Sequence, residues 1–101
     1  MRREGKSYAH PLAILISGTS DAPVPRFAVA AGKSLGTAVA RNRMKRLLRE
    51  ALRQYTDQLP AGCDLILIAR APMRDAVQSE VNAAVKRLLA NARLIESHDA
   101  G

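Results

Sequence analysis

Between Ala38 and Gln54 the chain carries six basic side chains and a single acid, Glu50. The basic residues are Arg41, Arg43, Lys45, Arg46, Arg49 and Arg53, with Asn42 among them. On a helix at about 100° per residue, Arg41, Lys45, Arg49, Asn42, Arg53 and Arg46 sweep from roughly 0° to 140°, and Arg43 falls at about 200°. Met44, Leu47, Leu48, Ala51, Leu52 and Tyr55 take the complementary arc. Such a helix buries one side and presents a cationic stripe on the other. The chemistry this suits is binding of a polyanion. Cations at i, i+4 and i+8 recur about every 6 Å along the axis, and phosphates recur along a nucleic-acid strand. The helix N-terminus adds unsatisfied N–H groups and a partial positive charge. Asn42, in the first turn, can donate to and accept from sugar or base edges. Like charges on one face weaken a helix by some tenths of a kcal/mol per pair, so a bound anion is the natural neutraliser.

Two other readings compete. A merely solvated helix face normally mixes both signs, and here the ratio is six to one. A membrane-surface helix favours Trp and Phe anchors on its apolar side. This one has Leu, Ala and Met at core spacing.

Catalytic residues are poorly supplied. The nine acids are scattered, without a paired-carboxylate motif, and there is no Gly-rich nucleotide loop. His10 and His98 lie far apart, and the lone Cys63 has no partner for a disulfide or metal cluster. Cys63 reads as small core filling. Asp57 and Asp64 flank a turn and read as capping or solubilising residues. No catalytic residue, no metal ligand and no protein-bound cofactor is expected. Tyr8, Phe27 and Tyr55 are the only aromatics, so a stacking platform for single-stranded RNA is thin. Phe27 reads as core.

The stripe must be positioned by a small fold. Pro11–Ile16 is a short apolar run with turn residues after it, and reads as a strand. Gly18 to Pro25 reads as a hairpin-length loop. Arg26–Ala31 is a second strand, and Gly32–Gly36 a turn carrying Lys33. The basic helix spans about Thr37 or Ala38 to Tyr55, with Thr37 as N-cap. Asp64–Ala69 is apolar on both faces and reads as a central strand. A last helix lies within Asp75–Ile95, capped by Asp75 or Ser79, with Val77, Val81, Ala84, Val85, Leu88, Leu89 and Ala92 on its apolar face. The order is strand, strand, helix, strand, helix, which implies a two-layer sandwich of helices on a sheet.

Composition sets the same bounds. The 101 residues amount to one domain, residues 1–101, with a tail from Glu96 to Gly101 expected to fray. At 48% apolar content the chain can build a core. Sixteen Lys and Arg against nine Asp and Glu give a net +7, mostly from Arg, whose planar fork suits phosphate oxygens. The first residues lack a signal-peptide apolar region, and no apolar run approaches a membrane span. A cytoplasmic protein without a membrane role is expected.

The segment Gly36, Ala38-Val39, Arg41-Asn42-Arg43, Lys45-Arg46, Arg49-Glu50 resembles the signature of the protein component of bacterial ribonuclease P. Arg26–Val29 and Asp64–Arg70 are similar to that family's strands on either side, and the resemblance runs from about Gly5 to Arg93. It implies an α+β two-layer sandwich with a left-handed βαβ crossover, like the second domain of a ribosomal small-subunit protein. It also implies a non-catalytic subunit of an endoribonuclease. The RNA subunit would perform the hydrolysis with Mg2+, and the protein would assist removal of the 5′ leader from precursor tRNA. Its partners would be the ribonuclease P RNA and the precursor's leader, held in a cleft between sheet and helix, with no obligate protein partner. The RNA-binding role carries over to Lys33, Arg41, Asn42, Arg43, Lys45, Arg46 and Arg49. The family's N-terminal helix is expected to be missing ahead of Gly5. Its cleft aromatic on the first strand is matched by Ile16, and its Ser-Lys-Lys turn by Gly32-Lys33-Ser34. The alternative is a general or ribosome-associated RNA-binding module without a processing role.

Overall fold

The computed structural model describes residues 5–95. The tail from Glu96, His98 and the residues before Gly5 lie outside it. The chain forms β1 (Lys6–Ala9), β2 (Ala13–Thr19), β3 (Arg26–Ala30), α1 (Ala38–Arg53), β4 (Cys63–Ala69) and α2 (Gln78–Asn91). Single 3-10 turns sit at Lys33–Leu35, Thr56–Gln58 and Ala71–Asp75. The four strands make one mixed sheet in the order β1-β2-β4-β3. β4 is central as expected. It runs antiparallel to β2 and parallel to β3.

Three expectations change. β1 was not anticipated: Lys6–Ala9 is short and lacks an apolar run, and only pairing with β2 makes it a strand. β2 continues through Ser17-Gly18-Thr19, because Gly18 and Thr19 pair with Asp64 and Cys63. The segment after it is therefore not a hairpin loop, since β4 separates β2 from β3. α2 begins at neither proposed cap. Val77 is its N-cap and is 54% exposed, off the apolar face. The Glu80 carboxylate accepts from Val77 N–H at 3.0 Å, so the acid three residues on does the capping.

The remaining elements follow the sequence closely. The Thr37 hydroxyl accepts from Ala40 N–H at 3.1 Å and starts α1. Met44, Leu48, Ala51 and Leu52 are buried along that helix, as are Val81, Ala84, Val85, Leu88 and Leu89 along α2. All of these except Ala84 meet Ala13 and Leu15 of β2 and Leu65, Leu67 and Ala69 of β4 in one core. Cys63 is buried in that core, and burial, with the charge of Asp64 second, holds its thiol above the ordinary range. Its place in the core is that of a small filling residue.

Two hydrogen bonds settle the hand of the β3–α1–β4 crossover. Ser20 N–H donates to Gly62 O at 2.7 Å and Arg70 N–H to Leu12 O at 2.9 Å. Both join directly opposed residues of the β2–β4 register. Even-numbered residues of β4 therefore turn their backbone groups towards β2, and odd-numbered ones towards β3. The odd-numbered side chains, Leu65, Leu67 and Ala69, are those buried with the helices. For L-residues in a strand running upwards, side chains facing the viewer go with N–H and C=O groups pointing right. Seen from the helices, β3 is then on the right of β4, and the chain crosses leftwards. The crossover is left-handed, against about 98% of such connections.

The same alternation leaves the other face uncovered by any described helix. Ile14, Ile16, Ile66 and Ile68 lie on it, each half-buried. At its β3 edge, Arg26 Nε and Nη2 donate to the two carboxylate oxygens of Asp64 at 3.0 and 2.9 Å. Asp64 is thus not a solubilising residue but is 5% exposed and paired across the parallel ladder. The hydrogen bonds from Arg26 hold its carboxyl below the usual carboxylate range, against the opposing effect of burial. A folded-state pKa below the unfolded one stabilises the fold at neutral pH, and that contribution fades as pH falls through the lowered value. Asp64→Asn should therefore be less stable than the wild type at pH 7, and the gap should narrow below about pH 4 in urea titrations. A gap independent of pH would show that the carboxylate charge contributes nothing.

Candidate nucleic-acid interface

α1 distributes its cations by angle, and the sheet beneath decides which are free. Arg41 and Lys45 border the buried arc and are half-buried. Arg41 Nε is itself buried and has no hydrogen-bond partner among the described residues. Asn42, Arg46 and Arg49 lie on the outer face, exposed. Lys33 is exposed in the 3-10 turn just before the helix. Gly36 between them has φ +131°, a conformation that favours glycine and turns the chain into α1.

Arg43 behaves differently from its neighbours. Its Nη1 donates to Arg74 O at 3.2 Å and its Nη2 to Ala76 O at 2.7 Å. Those carbonyls belong to the turn that leads into α2. Gln78 reinforces the same junction, donating from Nε2 to Leu47 O at 3.0 Å. Arg43 therefore staples α1 to α2 in addition to carrying charge. Glu50 and Arg53 pair at 3.6 Å on the exposed side, so the one acid of the helix is engaged by the last cation. What remains outward is Asn42, Arg46 and Arg49, with Arg41, Lys45 and Lys33 beside them.

Sequence reasoning missed Arg74. It is exposed on the Ala71–Asp75 turn, and its carbonyl is held by Arg43. Nothing in the spacing links residue 74 to residue 43, because the contact depends on how the two helices pack. It also took Phe27 for core. Phe27 is on the helix side of the sheet, opposite Leu65, but at the edge strand, and is 45% exposed. Among the described residues no three His, Cys, Asp or Glu side chains come together in a way that could hold a metal ion. No helix among them is long and apolar enough to cross a membrane.

Fold and site define a small, strongly basic α+β domain with a cationic helix on one side of a mixed sheet and, on the other, an apolar face that no described helix covers. The family model described as Ribonuclease P matches residues 1–93. The ribonuclease P protein component of Herpetosiphon aurantiacus is 44% identical over 93% of this chain and 76% of its own length. That of Dehalococcoides mccartyi is 38% identical over 94% of this chain and 78% of its own length. The solved structure of the Staphylococcus aureus RNase P protein superposes with a TM-score of 0.83 at 25% identity, covering 93% of this chain and 86% of that one. The chain belongs to the ribonuclease P protein family, whose members are the protein subunit of that ribonuclease. The family and the α+β fold are those the sequence suggested, and a general RNA-binding module without a processing role is not favoured.

The division of labour along α1 is testable by stability alone. Arg43→Ala should cost about 1–2 kcal/mol, because two backbone carbonyls lose charged donors. Arg46→Ala and Arg49→Ala should stay within about 0.5 kcal/mol of wild type, as exposed substitutions do. Urea denaturation monitored by circular dichroism distinguishes the two classes. Equal losses at all three positions would remove the stapling role.

Proposed function

We propose that this chain binds the RNA subunit of ribonuclease P through α1 and holds the 5′ leader of precursor tRNA over the open face of its sheet. In this reading the protein is not the catalyst. The RNA hydrolyses the phosphodiester with Mg2+, and the protein raises substrate affinity and lowers the metal demand. The working compartment is the cytoplasm.

The observation that carries the reading is the outward set Asn42, Arg46 and Arg49, flanked by Arg41, Lys45 and Lys33, with the only acid of α1 engaged by Arg53. Among the described residues nothing else neutralises this surface, and RNA phosphates supply that neutralisation. The buried Arg41 Nε, without an acceptor among the described residues, supports the same conclusion, since buried donors normally find partners. The open face supports leader binding because it is apolar, only half-buried and next to none of the described helices. A single strand with unstacked bases can use such a surface.

The first test is reconstitution. The chain and the ribonuclease P RNA of the same organism are mixed at low Mg2+, and leader removal from a precursor tRNA is followed. Stimulation that the Arg41→Ala/Arg46→Ala double variant loses is expected. A wild-type chain that gives no stimulation would sink the subunit role. The second test is ionic. If about five cations meet phosphates, log K for the RNA falls with log salt at a slope of about −3.5 to −4.5. Arg46→Ala should reduce the slope by about one unit. A slope near zero would contradict an electrostatic interface.

A further inference from the structure

The family's interface on α1 leaves the Arg26–Asp64 pair unexplained. It sits on the opposite side of the sheet, at the β3 edge of the open face. Asp64 is almost completely buried, yet the Arg26 side chain is 58% exposed. The carboxylate accepts from Nε and Nη2 and is also hydrogen-bonded by Ser20. The fork therefore fixes the guanidinium in orientation along one edge, and the rest of it faces solvent.

Two features of the surroundings matter. Ala28, the next residue of β3 on this face, is small. With Ile66 across the ladder it leaves a depression of about 170 Å3 beside the pair, lined by Arg26, Phe27, Ala28, Asp64, Leu65 and Ile66. That is below the ~300–1,000 Å3 of sites that enclose a drug-sized ligand, and suits a single ring. Second, the charge of Arg26 is already compensated by Asp64. A free surface arginine seeks a phosphate. One whose Nε–Nη2 edge and charge are engaged by a carboxylate offers its plane and its remaining edge. Guanidinium planes stack on nucleobases. The open face has no exposed aromatic among its described residues, so this plane is the flat polar-edged surface it can offer to a base.

We infer that Arg26, held in place by Asp64, is a stacking platform for one unpaired base of the leader, seated over Ala28 and Ile66. The inference rests on the leader lying over the open face and names the residue that reads it. Stacking is tolerant of base identity, so the contact selects an unpaired nucleotide at one distance from the cleavage site more than a particular sequence. It contributes no net charge and leaves the salt slope to α1.

The test uses the reconstituted holoenzyme and three substrates: precursor tRNA with its leader, the same precursor with an abasic nucleotide at successive leader positions, and leaderless tRNA. Wild type is expected to lose about fivefold in affinity at one abasic position, the lower end of what stacking contributes. Arg26→Lys keeps the charge and loses the plane. It should bind the intact leader about fivefold more weakly and lose sensitivity at that position, with leaderless tRNA and the salt slope unchanged. Arg26→Gln, which keeps a flat amide, should recover part of the sensitivity, and it still decides the matter if the Lys variant fails to fold. An Arg26→Lys enzyme that keeps the abasic signature, or a wild type indifferent to every abasic position while still preferring leader-bearing tRNA, overturns stacking and leaves leader binding standing. A wild type that binds leader-bearing and leaderless tRNA alike overturns both.

Discussion

Burial of one arc of α1 is the constraint on which the surface depends. Met44, Leu48, Ala51 and Leu52 must leave water together. A helix has no freedom to turn its other residues independently once that arc is fixed. The orientation of Arg46, Arg49 and Asn42 is therefore decided by leucines, not by charges. The cost is like-charge repulsion on the outer face, relieved among the described residues by the pair Glu50 with Arg53. The repulsion itself does not unfold the helix, because buried apolar area contributes far more than a few tenths of a kcal/mol per pair.

The sheet is asymmetric for a similar reason. Both helices lie on the odd-numbered face of β4, and the left-handed crossover is the path by which α1 reaches that face from β3. Had α1 crossed with the usual hand, it would lie over Ile66 and Ile68. The cationic helix and the open isoleucine face would then have been the same surface. The unusual hand keeps them apart, with the sheet between. Asp64 belongs to the open face and is nonetheless buried, because Arg26 and Ser20 close over it.

Much of this was legible in the chain. The period of Met44, Leu48, Ala51 and Leu52 placed α1 to within two residues, and Thr37 was readable as its cap. The double-sided apolar run of β4 announced a central strand. What was not legible depends on partners distant in sequence. β1 has no strand signal of its own. Val77 continues the spacing of Val81 and Val85, but lies one residue before the helix and points to solvent. Asp64 looked like a surface acid because it borders a turn, and only the parallel register with Arg26 makes it a buried one. The division among the cations was equally hidden. Arg43 and Arg46 share a side-chain type, and the carbonyls of Arg74 and Ala76 separate their roles. The left hand came from family resemblance and not from any periodicity.

Two surfaces with different physics follow from one small core. The α1 surface is cationic, long-ranged and salt-sensitive, which suits a large folded RNA whose phosphates are presented in bulk. The sheet face is apolar with one charge-compensated arginine at its edge, which suits a short single strand whose bases are exposed. Screening separates them: added salt weakens the first and leaves the second nearly untouched. Under the proposed function the chain stays on one RNA while substrates come and go, and contacts of one kind on both sides would let either RNA compete for the other's site. The sheet keeps the two chemistries apart by placing them back to back.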